Sequence, residues 1–262
     1  MQDGIVDTST HTGAIYPSLR GKRVIVSGGG SGIGAGLVEA FARQGAKVGF
    51  VDIQQGASEK LCADLETCDH APVFQPCDIT DTDDYIATLG ELIGELGGCD
   101  ILLNNAANDE RHDAADISPS DWDKSMGVNL KHLFFAVQTA IPELVKAGGG
   151  SIVNFGSISW HLALERLSLY QTAKAAIEGL TRSLAREYGR EGIRVNCVIP
   201  GNVQTPRQER WYTPEGEAEI VASQCLDGRI QPRDVAALAL FLASDDARFC
   251  TGHNYWVDAG WR

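Results

Sequence analysis

Three things are missing from this sequence: paired cysteines, a long apolar run and a surplus of positive charge. The seven cysteines, at 62, 68, 77, 99, 197, 225 and 250, include no pair with CxxC spacing, and their number is odd. Several sit in apolar runs such as Arg194-Val195-Asn196-Cys197-Val198. That pattern argues against a disulfide framework or a zinc site and for buried free thiols in a reducing compartment. No apolar run approaches the roughly eighteen residues needed to span a bilayer. The stretch from Met1 to His11 is polar and acidic, unlike a secretory signal or an Arg-rich transit peptide, so a cytoplasmic location is expected. Lys and Arg number 22 against 35 Asp and Glu, a formal net charge of -13. Such a surface repels phosphate backbones and anionic lipid, so neither nucleic acid nor a membrane is an expected partner. The histidines at 11, 70, 112, 132 and 253 show no ligand spacing, and no catalytic metal is expected.

Glycine, by contrast, is abundant, with 29 among 262 residues. Tight turns or close backbone approach to a ligand would use that excess. Short, β-branched runs that are apolar on both faces recur along the chain. They are Arg23 to Ser27, Lys47 to Val51, Pro72 to Phe74, Asp100 to Leu103, Ser151 to Phe155, Arg194 to Val198 and Asn254 to Val257. Helical periodicity fills the intervals. Ile33 to Arg43 puts Leu37, Val38, Phe41 and Ala42 on one side, and Asp123 to Lys146 carries Met126, Leu130, Leu133, Phe134 and Val137. Further helices are expected over Ser168 to Gly189 and Val235 to Ala243, and the acidic run at Asp81 to Asp84 reads as a helix start. Strands alternating with helices predict an α/β fold: a doubly wound parallel sheet of about seven strands with helices on both faces. No repeat or linker divides it, so a single domain is expected over 19–262, after a partly flexible extension at 1–18.

The first strand runs through Ser27-Gly28-Gly29-Gly30-Ser31-Gly32-Ile33-Gly34 directly into a helix. Glycines there let the backbone approach a pyrophosphate, whose charge sits well at a helix N-terminus. The loop is not a P-loop, because Gly34 is followed by Ala35-Gly36, and its Gly28-x3-Gly32-x-Gly34 spacing departs from GxGxxG. An ordinary turn remains the alternative. Asp52, closing the second strand, is placed to accept hydrogen bonds from ribose hydroxyls and to repel a 2'-phosphate. Ile53 follows it, and no cation stands at 53 or 54, which favours NAD over NADP.

Tyr170 and Lys174 lie four apart in a helical segment and so share one face. A nearby ammonium favours phenolate, and a phenol so tuned can take a proton from a substrate hydroxyl. A surface pair is the plain alternative. Ser157 lies just past the fifth strand, where ligands bind in open α/β sheets, and could hydrogen-bond the reacting oxygen. Asn129 interrupts a helical run, either as a bend or as a polar relay to the lysine.

Together these residues resemble the classical short-chain dehydrogenase/reductase family over about Leu19 to Arg262. The resemblance implies a Rossmann-type fold, catalysis by Asn129, Ser157, Tyr170 and Lys174, and a homotetramer. It implies cofactor contacts from Gly28, Ser31, Gly32, Ile33, Gly34, Asp52, Ile53, Asp78, Ile79, Asn105, Ala106, Tyr170 and Lys174. It extends them to Pro200, Val203 and Thr205, in the segment that closes over the nicotinamide. One departure is Ala107, where the family usually has Gly after Asn-Asn-Ala. A narrower resemblance joins Ala14 to Leu19, Phe155 to Leu162, Trp211 to Ala218 and Cys250 to Arg262 to the bacterial NAD-dependent D-xylose 1-dehydrogenase branch. It implies a pentose oxidised at C1 to its lactone, although L-arabinose differs only in hydroxyl configuration. Candidate sugar contacts are Asn108, Ser157, Ser159, Trp160, His161, Tyr170, Asn202, Gln208 and Trp211. Trp211 could equally be core or subunit contact, and His161 a structural histidine. Two rivals stay open: a carbonyl or 3-oxoacyl reductase of the same family, and a non-catalytic cofactor-binding protein.

Overall fold

Strands apolar on both faces must be covered on both. The computed structural model, which describes residues 13–209 and 212–261, does this around a seven-stranded sheet. The strands are β1 (Arg23–Ser27), β2 (Lys47–Asp52), β3 (Val73–Pro76), β4 (Ile101–Asn104), β5 (Gly150–Phe155), β6 (Ile193–Pro200) and β7 (Asn254–Val257). All pair in parallel, in the order β3-β2-β1-β4-β5-β6-β7. Around them lie α1 (Gly32–Arg43), α2 (Gln55–Asp64), α3 (Thr82–Leu96), α4 (Pro119–Met126) and α5 (His132–Lys146). Then come α6 (Ser168–Tyr188), α7 (Pro206–Glu209), α8 (Pro214–Ala222) and α9 (Pro232–Ala243). Alternation along β1 decides the two cores. Val24 and Val26 join Leu37 and Phe41 of α1 and Ala236 and Ala239 of α9. Ile25 points the other way, to Leu89 and Leu92 of α3 and Val137 and Ala140 of α5.

The sheet order reverses between β1 and β4, so the helices after these strands diverge and leave a crevice at their carboxyl ends. A buried polar row lies just beneath it. Register places Ser27, Asn104, Asn154 and Cys197 side by side on β1, β4, β5 and β6. Asn104 Nδ2 donates to Asn154 Oδ1 at 2.9 Å, and Asn154 Nδ2 donates to Thr181 Oγ1 on α6 at 3.0 Å. Buried polar groups are costly only when a partner is removed. Asn154→Ala is therefore expected to lower stability by about 2–4 kcal/mol, because it orphans the Asn104 amide and the Thr181 hydroxyl. A urea melt checks this: the midpoint should fall with unchanged slope, and an unmoved midpoint would count against the row.

Three expectations change. The single helix over Asp123 to Lys146 begins earlier, at Pro119, where Ser118 and Asp121 form a reciprocal cap. It is then interrupted by a π-helical turn at Gly127–Lys131 before α5 starts. Phe134 does not face the core. The buried stripe of α5 runs through Leu133, Ala136, Val137, Ala140 and Leu144, leaving Phe134 48 % exposed. The cysteines are free, but only Cys77, Cys99 and Cys197 are buried, and Cys225 is exposed. Elsewhere the local signals hold: Asp81 caps α3 by accepting from the Asp84 amide. Most of the expected extension at 1–18 lies outside the described residues. Its end is tied down, with Tyr16 N donating to Gln44 Oε1 and Gln44 Nε2 to Ala14 O. Among the described residues, no helix is long and apolar enough to cross a membrane.

Candidate active site

The crevice is built first by glycines. Gly28 turns the chain out of β1 at φ +67°, and a Cβ there would sit 2.8 Å from Ala106 Cα. A Cβ on Gly34 would fall 1.8 Å from the Gly28 carbonyl oxygen, so the turn closes only with glycine at 34. Ser31 precedes α1 in extended conformation without capping it. The first amides of α1, Gly32, Ile33 and Gly34 among them, have no partner within the helix and suit a phosphate. Asn105 locks the turn, its Nδ2 donating to Gly28 O at 2.9 Å and Ser27 O at 3.2 Å, while Ala106 N reaches Ser27 Oγ. Ala107 departs from the expected glycine without strain, since it is not among the residues with positive φ.

Asp52 is 7 % exposed at the end of β2. Its Oδ2 accepts from Gly30 N and its Oδ1 from Gln54 N, both at 2.8 Å. The backbone thus fixes the carboxylate, and each oxygen keeps a lone pair for a hydroxyl. Ile53 beside it is 73 % exposed. Asp78 turns its Oδ1 onto Thr80 N and Oγ1, and Ile79 is buried next to it. Over the glycine turn lies the segment after β6. Pro200 ends that strand, Val203 bridges to Ile230, and Thr205 sits where a Cβ on Gly32 would meet it at 3.2 Å. A cradle that a Cβ would fill, an uncapped helix and a fixed carboxylate together fit a dinucleotide.

The catalytic candidates converge on the end of β5. Lys174 on α6 is buried and donates from Nζ to Phe155 O at 2.7 Å. Two residues on, Ser157 lies near the Tyr170 phenol and favours its anion, and the Ser157 hydroxyl accepts from Ser159 N at 3.1 Å. Lys174 Nζ lies 5.4 Å from the centre of the Tyr170 ring. Asn129 occupies the π-helical turn, buried, with Oδ1 accepting from Asn108 N at 2.8 Å and Nδ2 donating to Asn108 O at 3.0 Å. The extra residue of a π turn redirects a side chain, and here it sends Asn129 to the loop after β4.

Electrostatically, the site departs from the sequence expectation. Burial pushes the Tyr170 phenol above its ordinary value, and the Asp109 carboxylate adds to that, against the Ser157 hydroxyl and the Arg207 charge. Burial pushes Lys174 down to about 8. Lys174 Nζ lies 5.4 Å from the ring centre, and burial remains the largest influence on the phenol. The phenol is thus a neutral resting acid beside a lysine that gives up its proton readily.

The sugar candidates divide. Asn108 and Gln208 are brought to one ion pair, Asp109–Arg207: Arg207 donates to Asn108 Oδ1, and Gln208 Nε2 donates to Asp109 Oδ2 at 2.9 Å. Asn202 Oδ1 is already held by Tyr212 Oη and by Arg229, itself paired with Glu217. Trp160 and His161 go elsewhere. Trp160 Nε1 at 2.7 Å and His161 Nε2 at 2.9 Å both meet Glu178 Oε1. Glu178 lies eight residues past Tyr170 on α6, about 12 Å along its axis. They form an aromatic cluster with Trp256, which supports the structural reading of His161. Ser159 is buried, with no hydrogen-bond partner on Oγ. Trp211 lies outside the described residues. Sequence reasoning missed Asp109 and Arg207; the only signal was their position, one just past Asn108 and the other beside Gln208.

Comparison with known proteins agrees with this geometry. A family model described as Enoyl-(Acyl carrier protein) reductase matches residues 28–262. The D-xylose 1-dehydrogenase of Caulobacter vibrioides is 59 % identical over 249 residues, covering 95 % of this chain and 99 % of that protein. A Rhizobium meliloti protein assigned as a galactose dehydrogenase is 44 % identical, covering 94 % of this chain and 96 % of that one. A crystal structure from Sinorhizobium meliloti 1021, assigned as a short-chain alcohol dehydrogenase, superposes with a TM-score of 0.88 at 29 % identity. It covers 94 % of this chain and 98 % of its own. The chain is an oxidoreductase and belongs to the short-chain dehydrogenase/reductase family.

Proposed function

We propose that the chain oxidises an aldose, D-xylose first among them, at C1 to the aldonolactone, with NAD as hydride acceptor. The observation that carries this is the gathering of Ser157, Tyr170 and buried Lys174 at the end of β5, with Nζ 5.4 Å from the phenol ring, in a fold whose glycine turn is held to the Asp52 carboxylate. The similarity to a xylose and a galactose dehydrogenase supports an aldose. Gly28, Ser31, Gly32, Ile33 and Gly34 would hold the pyrophosphate, and Asp52 with Ile53 the adenosine. Asp78 and Ile79 would meet the adenine, and Asn105, Ala106, Pro200, Val203 and Thr205 would line the remaining path to the nicotinamide. Bound NAD supplies the hydride-accepting carbon and the positive charge of its oxidised ring. Ser157 orients the anomeric hydroxyl and Tyr170 accepts its proton. Lys174 balances the phenolate charge, while Asn129 fixes the loop carrying Asn108 and supports a polar relay to the lysine. The family resemblance supports a homotetramer, and free rather than paired cysteines support a reducing, cytoplasmic location.

The Tyr170–Lys174 pair titrates as a unit. It loses its first proton as pH rises through about 8, the value to which burial lowers Lys174. The remaining proton is shared between amine and phenol, and when it sits on nitrogen the phenolate can accept from substrate. Thus kcat/KM should rise about tenfold per pH unit below that value and level off above it. Lys174→Met should move the limb upward, because the phenol then titrates alone above its ordinary value. A flat profile between about pH 6 and 9 would count against the assignment.

The rival carbonyl or 3-oxoacyl reductase would favour NADP, whose 2'-phosphate the Asp52 carboxylate opposes. Initial rates of NADH formation from D-xylose, L-arabinose, D-glucose, D-galactose and L-fucose test the proposal. D-Xylose should give the highest kcat/KM, and absence of turnover with every sugar would sink it.

A further inference from the structure

Beyond the catalytic set, one ion pair stands at the mouth of the crevice. Asp109 is in the loop after β4 and Arg207 on α7, with Nε to Oδ1 3.0 Å apart. The loop is rigidly placed, since both backbone groups of Asn108 are held by Asn129. Farther on it is fixed by Arg111 to Glu165 O and by His112 to Ser168 at the start of α6. Arg207 also donates to Asn108 Oδ1, and Gln208 to the second Asp109 oxygen. Four polar side chains from two segments therefore meet, and the two charged ones, Asp109 and Arg207, act electrostatically on Tyr170.

We propose that Asp109 and Arg207 read the sugar: the carboxylate accepts from adjacent ring hydroxyls while the guanidinium donates to a neighbouring oxygen. This rests on the aldose assignment above and names residues for its specificity. A carboxylate takes two donors at once and a guanidinium presents a planar fork, which matches a vicinal diol. The pair's side chains are 51 % and 31 % exposed, Arg207 and Asp109 in turn, so as an ion pair it contributes little to stability. Its carboxylate also opposes formation of the Tyr170 phenolate. A side chain that hinders the base it faces needs a use there, and substrate hydroxyls provide one. Asn108 and Gln208 hold the two charges in place until the sugar arrives.

The test uses Asp109→Asn, Arg207→Gln and Arg207→Lys in the full-length enzyme, with D-xylose and its 2-, 3- and 4-deoxy analogues. NAD affinity, read by fluorescence titration, serves as the control for folding and should match wild type. The proposal predicts that KM for D-xylose rises roughly 10- to 100-fold in each variant while kcat falls far less. At least one deoxy sugar should be penalised to a similar degree in wild type, and that penalty should vanish in Asp109→Asn. Unchanged KM, or equal losses for xylose and all its deoxy analogues, would overturn it, the latter marking a mere staple between segments. A wild type that oxidises no aldose would instead overturn the sugar assignment, and this inference with it.

Discussion

Tyr170→Phe should cut kcat for aldose oxidation roughly 10²- to 10⁴-fold, the range that a positioned general base contributes. NAD affinity should stay at the wild-type level. The substitution keeps the ring and removes only the hydroxyl that lies near Ser157. Lys174 would remain anchored, because its hydrogen bond goes to Phe155 O and not to the phenol. The glycine turn and Asp52 are untouched, so the dinucleotide cradle should survive. Initial rates together with NAD titration separate these effects. Retained turnover would remove Tyr170 from the chemistry; lost NAD affinity would mean that its hydroxyl serves coenzyme binding instead.

Asp52→Asn combined with Ile53→Arg should reverse the coenzyme preference. Hydrogen bonds to a charged group are worth about 1.5–3 kcal/mol each, so losing the carboxylate should reduce kcat/KM with NAD roughly 10- to 100-fold. Asn keeps one oxygen for the Gly30 or Gln54 amide, limiting the damage to the turn. Ile53 is 73 % exposed, so an arginine fits without repacking and can meet a 2'-phosphate. Parallel rates with NAD and NADP read the change. If the double variant keeps the wild-type preference, Asp52 does not select the coenzyme.

What could be read in advance follows from the range of the forces involved. Strand positions were legible because burial on both faces leaves unbroken apolar runs, and Val24, Ile25 and Val26 each found a core. Tyr170 and Lys174 were legible because helical spacing fixes their shared face. The π turn at Gly127–Lys131 was not, since a slip in hydrogen-bond register leaves the apolar period almost intact. The contacts of Trp160 and His161 with Glu178 were not legible for a similar reason. The loop after Ser157 bends through Ala163 and Arg166, both at positive φ, and no composition signal announces where those aromatics end. Asp109 and Arg207 belong to segments about a hundred residues apart, joined only when the crevice forms.

The central claim is that hydride leaves C1 of an aldose at a site built around Tyr170. It is tested most directly with D-xylose deuterated at C1 and unlabelled NAD, followed by mass measurement of the reduced coenzyme. The account predicts one deuterium per reduced nicotinamide, formed in step with lactone. Reduced coenzyme without label, or none formed at all, would contradict it.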